Sequence, residues 1–183
     1  GDKKNVHKSV HTALAISVIL GFVLSVLGII FSRKLLVMMN TPKEVLADAA
    51  KYLQIYSAGM IFNVVYNMAA GILNAAGNSK RSLLYLASAS VVNIFMDILL
   101  IPVFHMGVEG AAIATDMSQA VSCILAIGFL FKVKADYRVE LKEVKLHKSS
   151  AIRIIQVGLP TGIQNMVISF SNILVQAGVN GFG

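Results

Sequence analysis

Apolar residues form five long stretches along this sequence, and short polar segments separate them. The first stretch, 12–32, contains 21 residues and no charge. As an α-helix it would be about 31 Å long, which is the thickness of the hydrocarbon core of a bilayer. The other four stretches cover about 52–76, 82–104, 110–131 and 151–179. The pattern predicts an all-α membrane protein with five transmembrane helices.

The composition agrees with a membrane location. Of the 183 residues, 56% are hydrophobic and 14% are charged, and the mean hydropathy is +0.74. A soluble domain carries about a quarter charged residues, and stretches this apolar would give it large exposed patches. We therefore expect the lipid bilayer as a partner. The net charge is +7, but no basic face with interleaved aromatic residues is visible, so we expect no nucleic acid partner.

The positions of Lys and Arg predict the topology. Most of them fall in the segments 1–8, 80–81 and 132–153, which lie at the same end of the five stretches. Loops rich in Lys and Arg remain on the cytoplasmic side of a membrane. We therefore expect a cytoplasmic N-terminus and a C-terminal end on the outer side.

Small residues line one side of the first stretch. Ser17, Gly21, Ser25, Gly28 and Ser32 recur every three or four residues, which places them on one helix face. Small side chains allow helix backbones to approach closely in lipid. We interpret this face as a packing seam without chemistry.

Polar side chains also recur at helical spacing in the other four stretches. Asparagines and serines of this kind are explained by hydrogen bonds between helices, whereas an aspartate in hydrocarbon costs at least about 2.5–3.5 kcal/mol and favours a functional role. For Asp116, near the outer end of its stretch, both explanations stay open. The residues that we expect to line a shared cavity are Asn63, Asn67, Asp116 and Asn165.

A candidate cation site follows from the hairpin between the third and fourth stretches. The tight turn brings Asp97 and Thr115 to a similar depth, and Asn93 lies one turn from Asp97 on the same face. Carboxylate, amide and hydroxyl oxygens are hard ligands that suit an alkali cation or a proton relay. We predict that Asn93, Asp97 and Thr115 bind the cation.

Several short motifs resemble those of the multidrug and toxic compound extrusion (MATE) family of secondary transporters. They are G-D-K-K at 1–4, G-N-S at 77–79, N-I-F-M-D at 93–97, H-M-G-V-E-G-A-A at 105–112 followed by A-T at 114–115, and G-L-P-T at 158–161. The resemblance implies helices three to seven of a twelve-helix transporter with two lobes. Residues 1–132 would give four helices of the amino-terminal lobe, 133–149 a basic cytoplasmic linker, and 150–183 the first helix of the carboxy-terminal lobe.

The resemblance also implies a function. It suggests a cation-coupled antiporter in the plasma (bacterial inner) membrane that exports drugs or organic cations by alternating access, driven by Na⁺ or H⁺. The protein would be a transporter and not an enzyme, without a cofactor, and a monomer when complete. In the sodium-coupled case, Asn93, Asp97 and Thr115 would be Na⁺ ligands, completed by an aspartate of the family's first helix that this sequence does not contain.

Three alternatives stay open at this point. A lipid-linked oligosaccharide flippase of the same superfamily usually has several basic residues in its cavity, whereas these stretches contain only Arg153, at the inner end of the fifth. An intramembrane aspartyl protease could use Asp97 and Asp116, but its Gly-x-Gly-Asp signature is missing. The chain starts at Gly1 rather than Met, so we expect a piece of a longer protein, and the third alternative is an inactive truncated fragment.

Overall fold

Six α-helices account for most of the protein. The computed structural model describes residues 3–181, apart from the side chains at 173–174 and 176–181, so Gly1 and Asp2 of the first motif lie outside the described residues. The described residues contain no β-strand, which confirms the all-α class. The helices are α1 (Lys3–Met38), α2 (Lys43–Ala58), α3 (Met60–Ala75), α4 (Ser79–Ile98), α5 (Gly107–Lys132) and α6 (Lys148–Gly181), with a π-helical turn at Leu99–Val103 and a 3₁₀ turn at Leu141–Glu143.

The number of membrane spans differs from the prediction. Within the described residues, α1, α5, and α4 together with its π-helical turn are long and apolar enough to cross a bilayer. The pair α2–α3, bent by 45°, makes a fourth span if it crosses as one unit. Helix α6 is 34 residues long but is not among these candidates, because polar residues such as Gln164, Asn165 and Asn172 interrupt its apolar run. The predicted count of five is therefore not confirmed.

Helix α1 packs through its small residues against α2 and α3. Ser17 and Ser32 are fully buried, while Phe22, on the opposite side, is 61% exposed. A Cβ atom at Gly21 would lie 2.9 Å from the Cα atom of Ile61, so the two backbones touch. The predicted packing seam is confirmed.

Two of the helix ends show why the chain turns where it does. Gly77 has φ +78°, and the N–H groups of Gly77 and Asn78 donate to the carbonyls of Asn74 and Leu73, which ends α3 in a Schellman motif. At the end of α4, Pro102 has no N–H for a normal helical bond. The helix widens there, and Phe104 N–H donates to Leu99 O, five residues earlier.

The bend between α2 and α3 is occupied by an acidic side chain of α5. Gly59 lies at the junction, directly against the Asp116 carboxyl group. A Cβ atom at Gly59 would overlap the Asp116 carboxyl group, so a larger residue there requires this carboxyl group to move. The free N–H groups at the start of α3 carry a partial positive charge that an acid stabilises. Asp116 therefore joins α5 to the bend.

We expect Gly21→Ala to destabilise the protein and Gly128→Ala to keep or slightly raise its stability, because alanine is the better helix former. The new methyl group at position 21 meets the Ile61 backbone, and such overpacking costs about 1–3 kcal/mol, whereas a Cβ at Gly128 meets nothing within 4 Å. The measurement is the unfolding midpoint of each variant in detergent. Equal midpoints for the two variants would show that the seam is not tightly packed.

We expect Gly59→Ala to destabilise the wild-type background more than an Asp116→Ala background. Removing the carboxyl group opens the space that the new methyl group needs. A double-mutant cycle of unfolding midpoints measures this coupling, which we expect to be about 0.5–3 kcal/mol. An equal cost of Gly59→Ala in both backgrounds would mean that Asp116 does not occupy the bend.

Candidate functional site

The polar faces of three helices surround a cavity of about 440 Å³. The contributing residues on each helix are three or four positions apart, so they lie on one face and point to a common space. The lining consists of Asn63, Tyr66 and Asn67 from α3, Leu86, Ala89, Ser90, Asn93 and Ile94 from α4, and Thr115, Ser118, Gln119 and Ser122 from α5. None of these side chains carries a formal charge, so the cavity is polar and neutral.

A chain of amide hydrogen bonds crosses the cavity wall from α3 to α5. Asn67 Nδ2 donates to Asn63 Oδ1 at 2.8 Å, and Asn63 Nδ2 donates to Gln119 Oε1 at 2.7 Å. In each bond, an amide N–H group of one side chain is paired with the amide oxygen of the next. These bonds fix the orientation of the amides at the boundary between the two helices.

The hydroxyl groups of α5 donate their protons to their own helix. Thr115 Oγ1 bonds Ala111 O at 2.9 Å, Ser118 Oγ bonds Thr115 O at 2.7 Å, and Ser122 Oγ bonds Gln119 O at 2.9 Å. The oxygen lone pairs keep their capacity to accept. The α5 wall therefore offers acceptors, which are the groups that coordinate a cation.

The structure brings four of the predicted site residues to this cavity: Asn63, Asn67, Asn93 and Thr115. Asp97 lies one turn after Asn93, two residues before the π-helical turn, and is half-buried. It is not among the lining residues, and its carboxylate has no hydrogen bond or ion pair with the part of the chain that the structure describes. Cation binding by Asn93, Asp97 and Thr115 stays a prediction.

The other two predicted residues lie elsewhere. Asp116 faces the bend at Gly59 and not the cavity. Asn165 is exposed on α6, a helix that packs mainly against α1 within the described residues. The structure therefore does not bring either residue to the side chains around Thr115.

Among the lining residues that were not predicted from the sequence, Gln119 and Tyr66 form hydrogen bonds between helices. Gln119 follows Thr115 by four positions, and Tyr66 follows Asn63 by three, so helical spacing alone could have placed both on the polar faces. Tyr66 also connects α3 to α4, because its hydroxyl donates to Ser82 O at 2.8 Å. The ring of Tyr66 is the aromatic part of the lining.

Comparison with known proteins identifies the family. The sequence profile of the MatE family matches residues 1–99. A probable multidrug resistance protein of Bacillus subtilis, YpnP, is 33% identical over 156 residues, which cover 85% of this chain and 35% of YpnP. The chain thus spans about a third of the length of that relative.

Two solved structures are similar to this fold. A multidrug resistance MATE transporter of the MOP superfamily, in an inward-facing conformation, superposes with a TM-score of 0.77 at 28% identity, over 86% of this chain and 36% of the other. A MOP superfamily transporter from Pyrococcus furiosus, described as having a binding pocket of reverse polarity, gives a TM-score of 0.84 at 27% identity, over 92% and 38%.

These matches agree with the motifs and with the arrangement of the helices. Members of the family are transporters, so the chain is not an enzyme and the aspartyl protease alternative is removed. The apolar helices and the relatives together show a multi-pass membrane protein. The chain belongs to the MATE family of transporters.

Proposed function

We propose that the full-length gene product exports drugs or organic cations across the plasma membrane in exchange for Na⁺ or H⁺, by alternating access. The observation that carries the proposal is the neutral polar cavity between three helices of a MATE fold. Because this chain spans 35% to 38% of the length of the three proteins compared above, the activity is proposed for the whole protein.

The neutral lining supports a cationic or amphipathic substrate. Ligand cavities of this kind use apolar and aromatic surface for affinity and a few polar groups for orientation. Tyr66 gives an aromatic face, and the amide and hydroxyl oxygens give acceptors. No Lys or Arg among the described residues lines the cavity, whereas a flippase for lipid-linked oligosaccharides would need basic groups against its phosphates.

The region around Asp97 supports cation coupling. Asn93 and Thr115 supply an amide and a hydroxyl oxygen to the cavity, and Asp97 lies one helical turn from Asn93. A carboxylate inside a span needs a proton or a counter-ion, and Asp97 has neither a cationic nor a hydrogen-bonding partner among the described residues. A proton or a Na⁺ ion bound at Asp97 would neutralise the carboxylate, which no described residue does.

The substitution Asp97→Asn should abolish ion-driven efflux, because the amide keeps the size of the side chain but cannot bind a proton or balance a cation. The measurement is efflux of cationic dyes by the full-length gene product in vesicles, with the Na⁺ and H⁺ gradients collapsed in turn. We expect the gradient-dependent rate to fall by about tenfold or more, as for the loss of a charge-assisted contact.

Asp116→Asn is the matched control, because it removes a second carboxylate from a span but keeps a side chain of the same size against Gly59. We expect this variant to retain gradient-dependent efflux. Undiminished coupled efflux by Asp97→Asn, at an equal amount of folded protein, would contradict the proposal.

A further inference from the structure

A second cavity, of about 340 Å³, lies at the N-terminal end of α1, far from the polar cavity along the chain. Lys4, His7 and Lys8 line it from one face of α1. Glu143, Lys145 and His147 line it from the segment 133–147, which connects α5 to α6. We call these six residues the basic cavity.

Buried contacts hold the connecting segment against α1. The Glu140 N–H donates to His11 Nε2 at 2.9 Å, and the His147 N–H donates to Thr12 Oγ1 at 3.2 Å. Val139 is 2% exposed, and its backbone N–H donates a hydrogen bond to Leu130 O of α5. Since His11 and Thr12 are fully buried, the backbone that carries Lys145 has a defined position opposite α1.

The charge in the basic cavity is not balanced. Three ammonium groups face one carboxylate, and that carboxylate lies 3.4 Å from His7 Nδ1. Lys4, Lys8 and Lys145 make no ion pair or hydrogen bond through their side chains with the part of the chain that the structure describes. Like charges in a shared concave space repel, and a bound anion removes that repulsion.

A metal ion is the competing occupant. One potential ligand atom from each of His7, His11 and Glu143 lies within 4.8 Å of the other two. However, His11 uses both ring nitrogens, with Nδ1 bonded to His7 O at 2.7 Å and Nε2 bonded to the Glu140 N–H. The neighbouring lysines also repel a divalent cation, so the geometry favours an anion.

The geometry points to a phosphate-binding site in the basic cavity. Its ligands are Lys4, Lys8 and Lys145, together with the imidazoles of His7 and His147. The phosphate group is carried by an anionic phospholipid or is free in solution. Ammonium groups form strong charge-assisted hydrogen bonds with phosphate oxygens. Basic pockets at the cytoplasmic ends of transmembrane helices are suited to lipid headgroups. The bound group would join α1 to the connecting segment through its charge.

The test compares phosphate binding by the full-length gene product with binding by the triple variant Lys4→Gln, Lys8→Gln, Lys145→Gln. One arm uses detergent-solubilised protein and inorganic phosphate, followed by calorimetry. The other arm uses nanodiscs of phosphatidylcholine with and without phosphatidylglycerol, followed by native mass spectrometry of retained lipid. We expect binding in at least one arm and a loss of about tenfold or more in the variant.

A second triple variant, Lys132→Gln, Lys134→Gln, Lys142→Gln, is the control, because it removes the same charge from the same region but leaves the basic cavity intact. We expect it to bind like the wild type, and the unfolding midpoint of each variant verifies folding. The arm in which binding occurs identifies the source of the phosphate. No binding in either arm, or an equal loss in both triple variants, would overturn the proposal.

Zinc titration gives a further outcome. Tight Zn²⁺ binding that persists in the Lys4, Lys8, Lys145 variant and disappears in His7→Ala would identify a metal site in place of the phosphate site. We expect no such binding, because both ring nitrogens of His11 already form hydrogen bonds.

Discussion

The contact between Gly59 and Asp116 is the constraint on which the geometry of the polar cavity depends. Asn63 follows Gly59 by four residues, and Thr115 directly precedes Asp116, so the contact fixes one wall residue of α3 and one of α5. The Asn63–Gln119 hydrogen bond continues the same boundary one turn further along α5. The bend between α2 and α3 therefore determines which faces of α3 and α5 meet.

Helical spacing in the sequence was sufficient to predict which polar residues share a face. Asn63 and Asn67 face the same cavity because residues four apart lie on the same side of a helix. The small face of α1 was predictable for the same reason, since a seam of glycine and serine has little use facing lipid. Both predictions concern single helices.

Relations between helices were harder to predict. Asp116 is about 100° around α5 from Thr115, and only the three-dimensional packing shows that this direction leads to the bend at Gly59. A single glycine within an apolar run does not by itself indicate a broken helix, so the division of 52–76 into parts of α2 and α3 was missed. In α6 the same polar residues that suggested a cavity wall also weakened the helix as a membrane span.

The hydrogen bonds of the polar cavity have a consequence for selectivity. Most of its hydroxyl protons are already donated within the α5 helix, and its amides on α3 and α5 bond one another. A binding site rejects an analogue strongly when the analogue lacks a hydrogen-bonding group, because a buried polar group of the protein is then left without a partner. Under the proposed function, an incoming molecule without a matching acceptor would leave these hydroxyl groups satisfied, so the cavity would admit chemically diverse molecules at similar cost.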